Sequence, residues 1–455
     1  VETGFNKAFK GNWGADSRTK RMGVIQDLNR LSWNTFMSHL RKINLPFDPT
    51  SKITGPRLLN SSQWGFIDPI DTPDGANIGL HKTLAVSTHI TIGGAGTREP
   101  MIKWLREKVG MRMPVECSLK LLSELTKVFI NGYWGGSLDD PFGCIQKIKL
   151  HRRNALFNIY TSATFDIKSN TIYIYTDDGR MSRPVFYKDD ITNKLSFENK
   201  EIEKILESGN YTWSNLITGF NTKRKTESTG IMELPDLYEG VNKETNPAKL
   251  DRFLNKKAII DYIDSSESEN ALIAVNMDEY PNNNYTHMEI HESLTYGTMC
   301  TLINFLENNP PTRNSFSCGQ SRQACSMYHT NYQVRMDKTA VVLTNGQTPL
   351  VKSRYLEYIN NEEMPYGENA IVAIACYTGY NMEDSILVNE ASLKRGLFNT
   401  TYYSTYESHE EITDTNEGKS ETKFTNVEME SNVVGTKSGY DYSKLCLLYT
   451  SPSPR

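Results

Sequence analysis

The sequence has little of what marks a secreted, disulfide-bonded or membrane protein. Its seven cysteines form no Cys-x-x-Cys pair, and the closest two, Cys318 and Cys325, lie too far apart for a zinc knuckle. Scattered cysteines in an odd number are typical of free thiols in a reducing compartment. No apolar run approaches the ~18–20 residues of a membrane span. The first residues, VETGFNKAFKGNWG, carry no targeting pattern, so we expect no membrane association.

Common catalytic motifs are also missing. The sequence has no Gly-x-x-x-x-Gly-Lys-Ser/Thr loop for an ATPase and no Gly-x-Ser-x-Gly elbow for a serine hydrolase. In HMEIHE, His287 and His291 are four residues apart, but the glutamate does not adjoin the first histidine as in a metalloprotease, which favours structural hydrogen bonding over metal ligation. The net charge of −4 shows no overall basic excess. Any contact with nucleic acid must therefore come from local patches.

What is present indicates a folded chain with several domains. Its 455 residues suggest two to four domains, and 38% hydrophobic with 10% aromatic residues argue against disorder. A basic segment at 10–42 has helix-like apolar spacing, and NTIYIYTDDGRMSRPVFY predicts a hairpin through Asp-Asp-Gly. The turn-rich stretch at 278–287 is our preferred boundary between accessory and core parts. We predict a mixed α/β multidomain fold.

Two segments carry candidate chemistry. Residues 310–337 combine Arg313, Arg322 and Gln323 with aromatic residues, a pattern that can contact phosphate but from spacing alone is more typical of a solvated helix. In TGYNMEDSILVNE, Glu383 and Asp384 lie between two apolar runs that indicate a buried strand pair. A charged, solvated turn is the simpler interpretation of these two carboxylates. The alternative is that they face a metal ion or a phosphate, although two carboxylates alone do not complete a two-metal site.

Taken together, an ordered set of motifs resembles the second-largest, bacterial-β-like subunit of multisubunit DNA-directed RNA polymerases, closest to the eukaryotic polymerase II type. Its carriers include GNWG at 11–14 and WGFIDPIDTPDGANIGL at 64–80. The strongest are RNSFSCGQSRQA, TNYQVRMD and MPYGENAIVAIACYTGYNMEDSILVNEASLKRGLF. DTPDG replaces the family's usual Glu-Thr-Pro-Glu-Gly, and DTPDGANIGLHKTLAVSTHIT is most similar to versions carried by large DNA viruses. The resemblance covers roughly residues 10–445 and implies an internal fragment of a longer subunit.

The resemblance implies a division of the chain and a β-barrel core around 364–390. The expected parts are the end of the protrusion and the fork (1–95), external 2 (96–200), external 1 (201–287), the first part of the hybrid-binding domain (288–425), the start of the wall (426–445) and a non-native tail (446–455).

The implied reaction is nucleotidyl transfer from NTPs to RNA on a DNA template. The family match makes Arg313 a contact of the incoming triphosphate, and Glu383 and Asp384 an acidic pair facing the active centre. Asp384 would help to hold the second Mg²⁺, which is shared with the largest subunit. The nucleic-acid-binding residues that the resemblance implies are Arg41 and Arg57 in the fork and Arg322 and Gln323 along the RNA–DNA hybrid.

Cofactors, partners and compartment follow from the same resemblance. Mg²⁺ is held mostly by the largest subunit, and zinc is expected only in a C-terminal part that should follow residue 445. Partners are the largest and smaller polymerase subunits, DNA, RNA and NTPs. The location is the nucleus, or a cytoplasmic viral factory or virion for a viral transcription enzyme. We expect no activity from the chain alone. The alternatives are a non-catalytic nucleic-acid-binding or assembly protein that retains the fold, and a metal-dependent nuclease, for which a carboxylate cluster is missing.

Overall fold

The computed structural model describes residues 1–9, 26–92, 98–189, 192–220, 254–282, 284–415, 418–422 and 438–439. Much of the basic segment at 10–42, the GNWG motif at 11–14 and the tail at 446–455 lie outside the described residues. Among the helices that are described, none is long and apolar enough to cross a membrane.

Helices and strands alternate irregularly along the chain. The helices are α1 Glu2–Phe9, α2 Trp33–Leu40, α3 Arg98–Trp104, α4 Leu119–Glu124, α5 Pro141–Arg153, α6 Lys200–Glu207, α7 Trp213–Thr218, α8 Ser265–Glu269, α9 Pro311–Gln323, α10 Leu356–Asn360 and α11 Glu390–Lys394. The strands are β1 Lys42–Asn44, β2 His81–Thr83, β3 His89–Ile90, β4 Thr126–Ile130, β5 Tyr133–Leu138, β6 Ser162–Asp166, β7 Thr171–Tyr175, β8 Met181–Tyr187, β9 Ile260–Asp264, β10 Ile273–Ala274, β11 His287–Met288, β12 Thr339–Leu343, β13 Thr400–Ser404, β14 Glu411–Thr415 and β15 Gly418–Thr422. This mixture of helices and separate small sheets confirms the predicted mixed α/β multidomain class.

A four-stranded sheet in the order β5-β4-β7-β6 forms the largest core. Alternate residues of β4 and β7, including Val128 and Ile172, point to one face and pack against α5. The β4–β5 turn uses Asn131 and Gly132, both at positive φ (49° and 79°), the conformation that a tight hairpin turn requires. Local pattern and tertiary packing therefore agree in this part of the chain.

A second sheet joins β10, β11, β8 and β3 in that order, with β9 also paired to β8. The predicted hairpin through Asp-Asp-Gly is wrong, because β7 belongs to the first sheet and β8 to the second. Gly179 adopts φ 80° and its N–H donates to the carbonyl of Thr91 at 2.9 Å. The turn thus passes the chain from one sheet to the other instead of folding it back.

A third region brings α2, α9 and α10 together with the β1–β2 pair. Of the helix expected in the basic segment, α2 is the described helical part, and residues 26–32 ahead of it are not helical. The side chain of Ser32 caps α2 by accepting from the N–H of Thr35. Trp33 Nε1 donates to the carbonyl of Ile359 at 2.8 Å, which ties α2 to α10.

The buried strand pair expected on either side of Glu383 is not observed. Residues 368–388 contain no strand among those described, and Ile371 and Ile374 are fully exposed. Apolar composition alone does not make a strand, because the backbone also needs a partner for its hydrogen bonds. The nearest pairing is β12 with β13, and the described residues show no closed barrel around 364–390.

Candidate nucleic-acid interface

Helix α9 carries three of the predicted site residues. Pro310 and Pro311 start the helix, which suits its first turn because proline lacks only an N–H that would be unpaired there. Arg313 is exposed near this end, with its guanidinium carbon 5.4 Å from the ring centre of Phe316. Gln323, the last helical residue, is also exposed. Arg313 and Gln323 therefore present their polar groups to solvent from opposite ends of one helix.

Arg322 has a different environment. Its Nη1 donates to both carboxylate oxygens of Asp71, at 2.7 and 2.8 Å. The side chain of Asp71 is 1% exposed and that of Arg322 is 15% exposed, and Thr83 Oγ1 donates to the same carboxylate at 3.0 Å. The positive charge of Arg322 is therefore largely neutralised inside the protein. Asp71 belongs to the DTPDG motif, so this motif anchors the end of α9.

Further hydrogen bonds hold α9 against the same segment. Ser315 Oγ donates to the carbonyls of Ile70 and Thr72, at 2.9 and 3.1 Å. At the other end, the hydroxyls of Ser32 and Thr35 donate to the carbonyl of Arg322. Since these partners lie more than 240 residues away in sequence, they fix the position of α9 relative to α2 and the 70–72 loop.

Arg41 and Arg57 both bind backbone carbonyls. Arg41 Nη2 donates to the carbonyls of Ala85 and Thr88, at 2.5 and 3.0 Å, and burial lowers the pKa of its guanidinium. Arg57 donates to the carbonyls of Ala76 and Ile78 from Nη1, both at 2.8 Å, and to two carbonyls in the 49–51 loop from Nη2. This geometry gives both residues a structural use, and their contact with nucleic acid stays a prediction.

Gly79 makes the Arg57 arrangement possible. It has φ 73°, and a Cβ placed on it would lie 2.3 Å from the carbonyl oxygen of Arg57. No other residue type fits this close approach without moving the backbone. The local packing around Arg57 therefore requires glycine at position 79.

Glu383 and Asp384 occupy an exposed turn. Both have positive φ, 53° and 67°, which is uncommon for residues other than glycine and asparagine. Ser385 stabilises the turn, since its Oγ donates to the carbonyls of Tyr380 and Met382 at 2.7 and 2.6 Å. Among the described residues, neither carboxylate forms an ion pair. Two unpaired carboxylates held at strained backbone positions are available to a partner.

The acidic pair supplies the type of ligand that a hard cation binds, but too few ligands to complete its coordination. Carboxylate oxygens are the donors that Mg²⁺ prefers, and two of them can hold only part of its coordination sphere. Within the described ranges, no group of three or more histidine, cysteine or acidic residues could hold a metal ion. The structure brings Arg322 together with Asp71, and no described contact joins Arg313 or Arg322 to Glu383 or Asp384.

Two nearby residues contribute to this arrangement but were not predicted as site residues from the sequence. Asp71 lies in a motif that was recognised, but nothing local indicates that its partner is 251 residues away. Lys42 is close enough to Arg322 for their charges to interact: burial lowers the pKa of Lys42, and the positive charge of Arg322 lowers it further. Lys42 therefore adds a cation next to the neutralised Arg322.

Three parts of the chain match models of domains from one protein family. Residues 26–90 match the model of RNA polymerase Rpb2, domain 3, residues 128–189 match domain 4, and residues 299–445 match domain 6. These findings support an RNA polymerase second-largest subunit. The domain 3 and domain 6 matches together contain Asp71, α9 and the acidic pair.

Individual relatives agree with the Rpb2 matches. The chain is 34% identical over 424 residues to the DNA-directed RNA polymerase II subunit RPB2 of Encephalitozoon cuniculi, covering 90% of this chain and 33% of that protein. It is 35% identical to the DNA-directed RNA polymerase II subunit 2 of Arabidopsis thaliana (88% and 31% covered) and 30% identical to the subunit Rpo2 of Sulfolobus acidocaldarius (96% and 35% covered). The chain thus spans about a third of the length of these Rpb2-type relatives.

Proposed function

We propose that the chain acts in transcription as part of the second-largest subunit of a DNA-dependent RNA polymerase. The observation that carries this proposal is the ordered match to Rpb2 domains 3, 4 and 6, together with relatives named as polymerase subunits. The enzyme would be a nucleotidyltransferase that adds NTPs to RNA on a DNA template. The nucleus is the compartment that fits the polymerase II relatives, and a viral origin has no support from these relatives.

In this proposal the chain forms one wall of the cleft opposite the largest subunit. Arg313 is exposed and has no carboxylate partner among the described residues, so its charge is available to a triphosphate. A planar guanidinium suits a phosphate whose charge shifts during transfer. Gln323 and Lys42 would approach the RNA–DNA hybrid, whereas Arg322 would act mainly by fixing α9 through Asp71.

Glu383 and Asp384 would face the active centre from their exposed turn. Mg²⁺ bound there would supply neutralisation of the triphosphate charge, with most of its ligands coming from the largest subunit. The turn at 378–385 would hold the two carboxylates at a constant distance from the reacting phosphates. We keep the predicted domain ranges, with boundaries at 95, 200, 287, 425 and 445, as part of this proposal.

An assay of the polymerase assembled around this subunit tests the proposal. Arg313→Ala is expected to raise KM for NTP and lower the extension rate at limiting NTP, while Arg313→Lys retains part of the activity because it keeps the charge. Gln320→Ala, at an exposed position of the same helix, is the matched control. Equal KM values for Arg313→Ala and the control would contradict the triphosphate contact.

The competing function is a non-catalytic nucleic-acid-binding or assembly protein that retains the fold. It predicts that Arg313 and Asp384 can both be replaced without loss of extension, while assembly with the other subunits depends on the buried contacts of α9. Measuring extension and subunit assembly on the same variants separates the two functions. We favour the polymerase function because the acidic turn and Arg313 are exposed and unpaired in the described structure.

A further inference from the structure

A cavity of about 340 Å³ lies between α5, β6 and β11, away from α9 and the acidic turn. Its wall includes Lys149 and Arg153 from α5, Thr164 from β6, and His287 from β11. Cavities of roughly 300–1,000 Å³ are the usual size for small-molecule sites.

Two buried polar atoms in the cavity wall have no hydrogen-bond partner among the residues that the structure describes. Glu267 is 5% exposed; its Oε1 accepts from Arg152 Nη1 at 2.6 Å and from the N–H of Ala163 at 2.8 Å, while Oε2 has none. His287 is 7% exposed; its Nδ1 bonds with Thr286 Oγ1 at 2.9 Å, while Nε2 has none. A buried polar atom without a partner destabilises the fold, and a ligand that bonds to it removes this cost. The wall therefore presents polar groups that a bound molecule would satisfy.

The charge of the wall is positive. Arg153 donates to Asp261 through Nε and Nη2, at 2.9 and 2.7 Å, so the charges of these two residues cancel. Lys149 and Lys188 also line the cavity, and neither forms an ion pair with any residue that the structure describes. Burial lowers the pKa of Lys149, and the negative charge of Glu267 only partly opposes this shift. Two lysines and one carboxylate oxygen face the same space.

The remaining wall is apolar and partly uncovered. Phe142 and Phe165 meet edge to face with ring centres 5.4 Å apart, and Ile145 lies beside them. Phe142 is 62% exposed and Ile167 is 75% exposed at the rim. A flat ring entering the cavity would cover this apolar surface while its edge reaches the polar wall.

We propose that this cavity binds a guanine nucleotide, either free or as an unstacked base of a single strand. Guanine carries N–H donors for Glu267 Oε2 and the acceptors O6 and N7 for Lys149, the contacts that carboxylate and lysine make with bases. His287 Nε2 meets the base edge as donor or acceptor according to its tautomer. Lys188 pairs with the phosphate. This site is separate from the polymerase residues and does not depend on the proposed function.

Calorimetric titration of the full chain with GMP, AMP and guanosine tests the site. GMP is expected to bind saturably at one site and at least tenfold more tightly than AMP, because adenine lacks the O6 acceptor and the N1–H donor. Lys149→Gln is expected to weaken GMP binding at least tenfold. Lys147→Gln, an exposed position on the same helix, makes the same charge change and should leave binding unaltered. Lys188→Gln should weaken GMP but not guanosine.

Comparison of ligands on the unaltered chain keeps the test independent of variant folding, which circular dichroism checks separately. Equal affinity for GMP and AMP, no saturable binding, or equal effects of Lys149→Gln and Lys147→Gln would each overturn the proposed site. A parallel titration compares a thymidine hexamer with a hexamer containing one guanine. Tighter binding of the guanine hexamer than of GMP would identify the ligand as a base of a single strand. Tighter binding of GMP would identify it as the free nucleotide.

Discussion

The ion pair between Asp71 and Arg322 makes the sharpest prediction about how the structure holds α9. Removing one partner of a buried pair costs about 3–5 kcal/mol because the other charge is left without compensation. Asp71 is almost fully buried, whereas Arg322 retains 15% exposure, so we expect the lower end, about 3 kcal/mol, for Asp71→Asn. Arg322→Met should cost a similar amount, since Asp71 then keeps Thr83 as its hydroxyl donor but loses its counter-charge.

The double variant separates the pair interaction from the two individual costs. If the carboxylate and the guanidinium interact directly, Asp71→Asn with Arg322→Met should destabilise by about 2 kcal/mol less than the sum of the single variants. Urea unfolding followed by tryptophan fluorescence measures the stability, and Trp33, whose backbone N–H donates to Ser326 Oγ just beyond α9, reports on this region. Asp74→Asn, an exposed carboxylate in the same motif, is the matched control and should change stability by less than about 0.5 kcal/mol. Additive single effects would refute a direct interaction between Asp71 and Arg322.

Three further predictions concern the buried polar groups and the thiols. Burial opposes ionisation of Asp261, but Arg153 and Arg152 outweigh it and hold the pKa of Asp261 below its ordinary value. The stabilisation by this carboxylate is therefore complete above about pH 4 and is lost on further acidification. Urea unfolding of Asp261→Asn should show a loss of about 3–5 kcal/mol at pH 7 and a smaller pH dependence of stability below pH 4. Burial lowers the pKa of His151 to about 4, so the unfolded chain takes up a proton at this residue at a higher pH than the folded chain does. The free energy of unfolding should therefore fall by about 2 kcal/mol between pH 7 and 5, and urea unfolding of His151→Phe should not show this fall. The exposed His409→Gln is the control. Burial raises the pKa of Cys144 to about 12, so mass spectrometry after brief alkylation should find the exposed Cys376 modified and Cys144 intact; equal labelling would contradict this.

Local patterns predicted the elements whose partners are close in sequence. The sequence SELTKVFINGYWGGS predicts a strand and a glycine turn, where the structure has β4 and its turn to β5. The sequence KEIEKILESGNYTWSNLITGF predicts a helix at its start, where the structure has α6. In both cases the residues that stabilise the element belong to the element itself. The motif order, in turn, indicated the family before any geometry was known.

Partners that are distant in sequence were not predictable from local pattern. The Asp-Asp-Gly turn has hairpin chemistry, yet Gly179 bonds to Thr91 and sends β8 to another sheet. The apolar run at 370–376 has strand composition, but no described strand pairs with it, so it stays exposed. Similarly, Arg322 has the composition of a phosphate contact, and only the fold shows that Asp71 neutralises it.

The predicted site residues fall into two groups: those that the structure leaves exposed and those whose charged groups bind within the protein. Arg313, Gln323 and the acidic turn are exposed, as a contact with substrate or nucleic acid requires. Arg41 and Arg57 carry the expected charge, but their guanidinium groups bind backbone carbonyls. A basic residue in a loop can stabilise that loop or contact a phosphate, and the two uses are identical in sequence.

Extension by the assembled polymerase with Asp384→Ala in this subunit tests the central claim most directly. We expect at least a roughly tenfold lower rate at limiting Mg²⁺ and NTP, with partial recovery at high Mg²⁺, because a carboxylate that helps hold the second ion would be lost. Glu390→Ala is the matched control and should leave the rate unchanged, because Glu390 is an exposed carboxylate that pairs with Lys394. Unchanged extension by Asp384→Ala under these conditions would contradict a role of the acidic turn in catalysis.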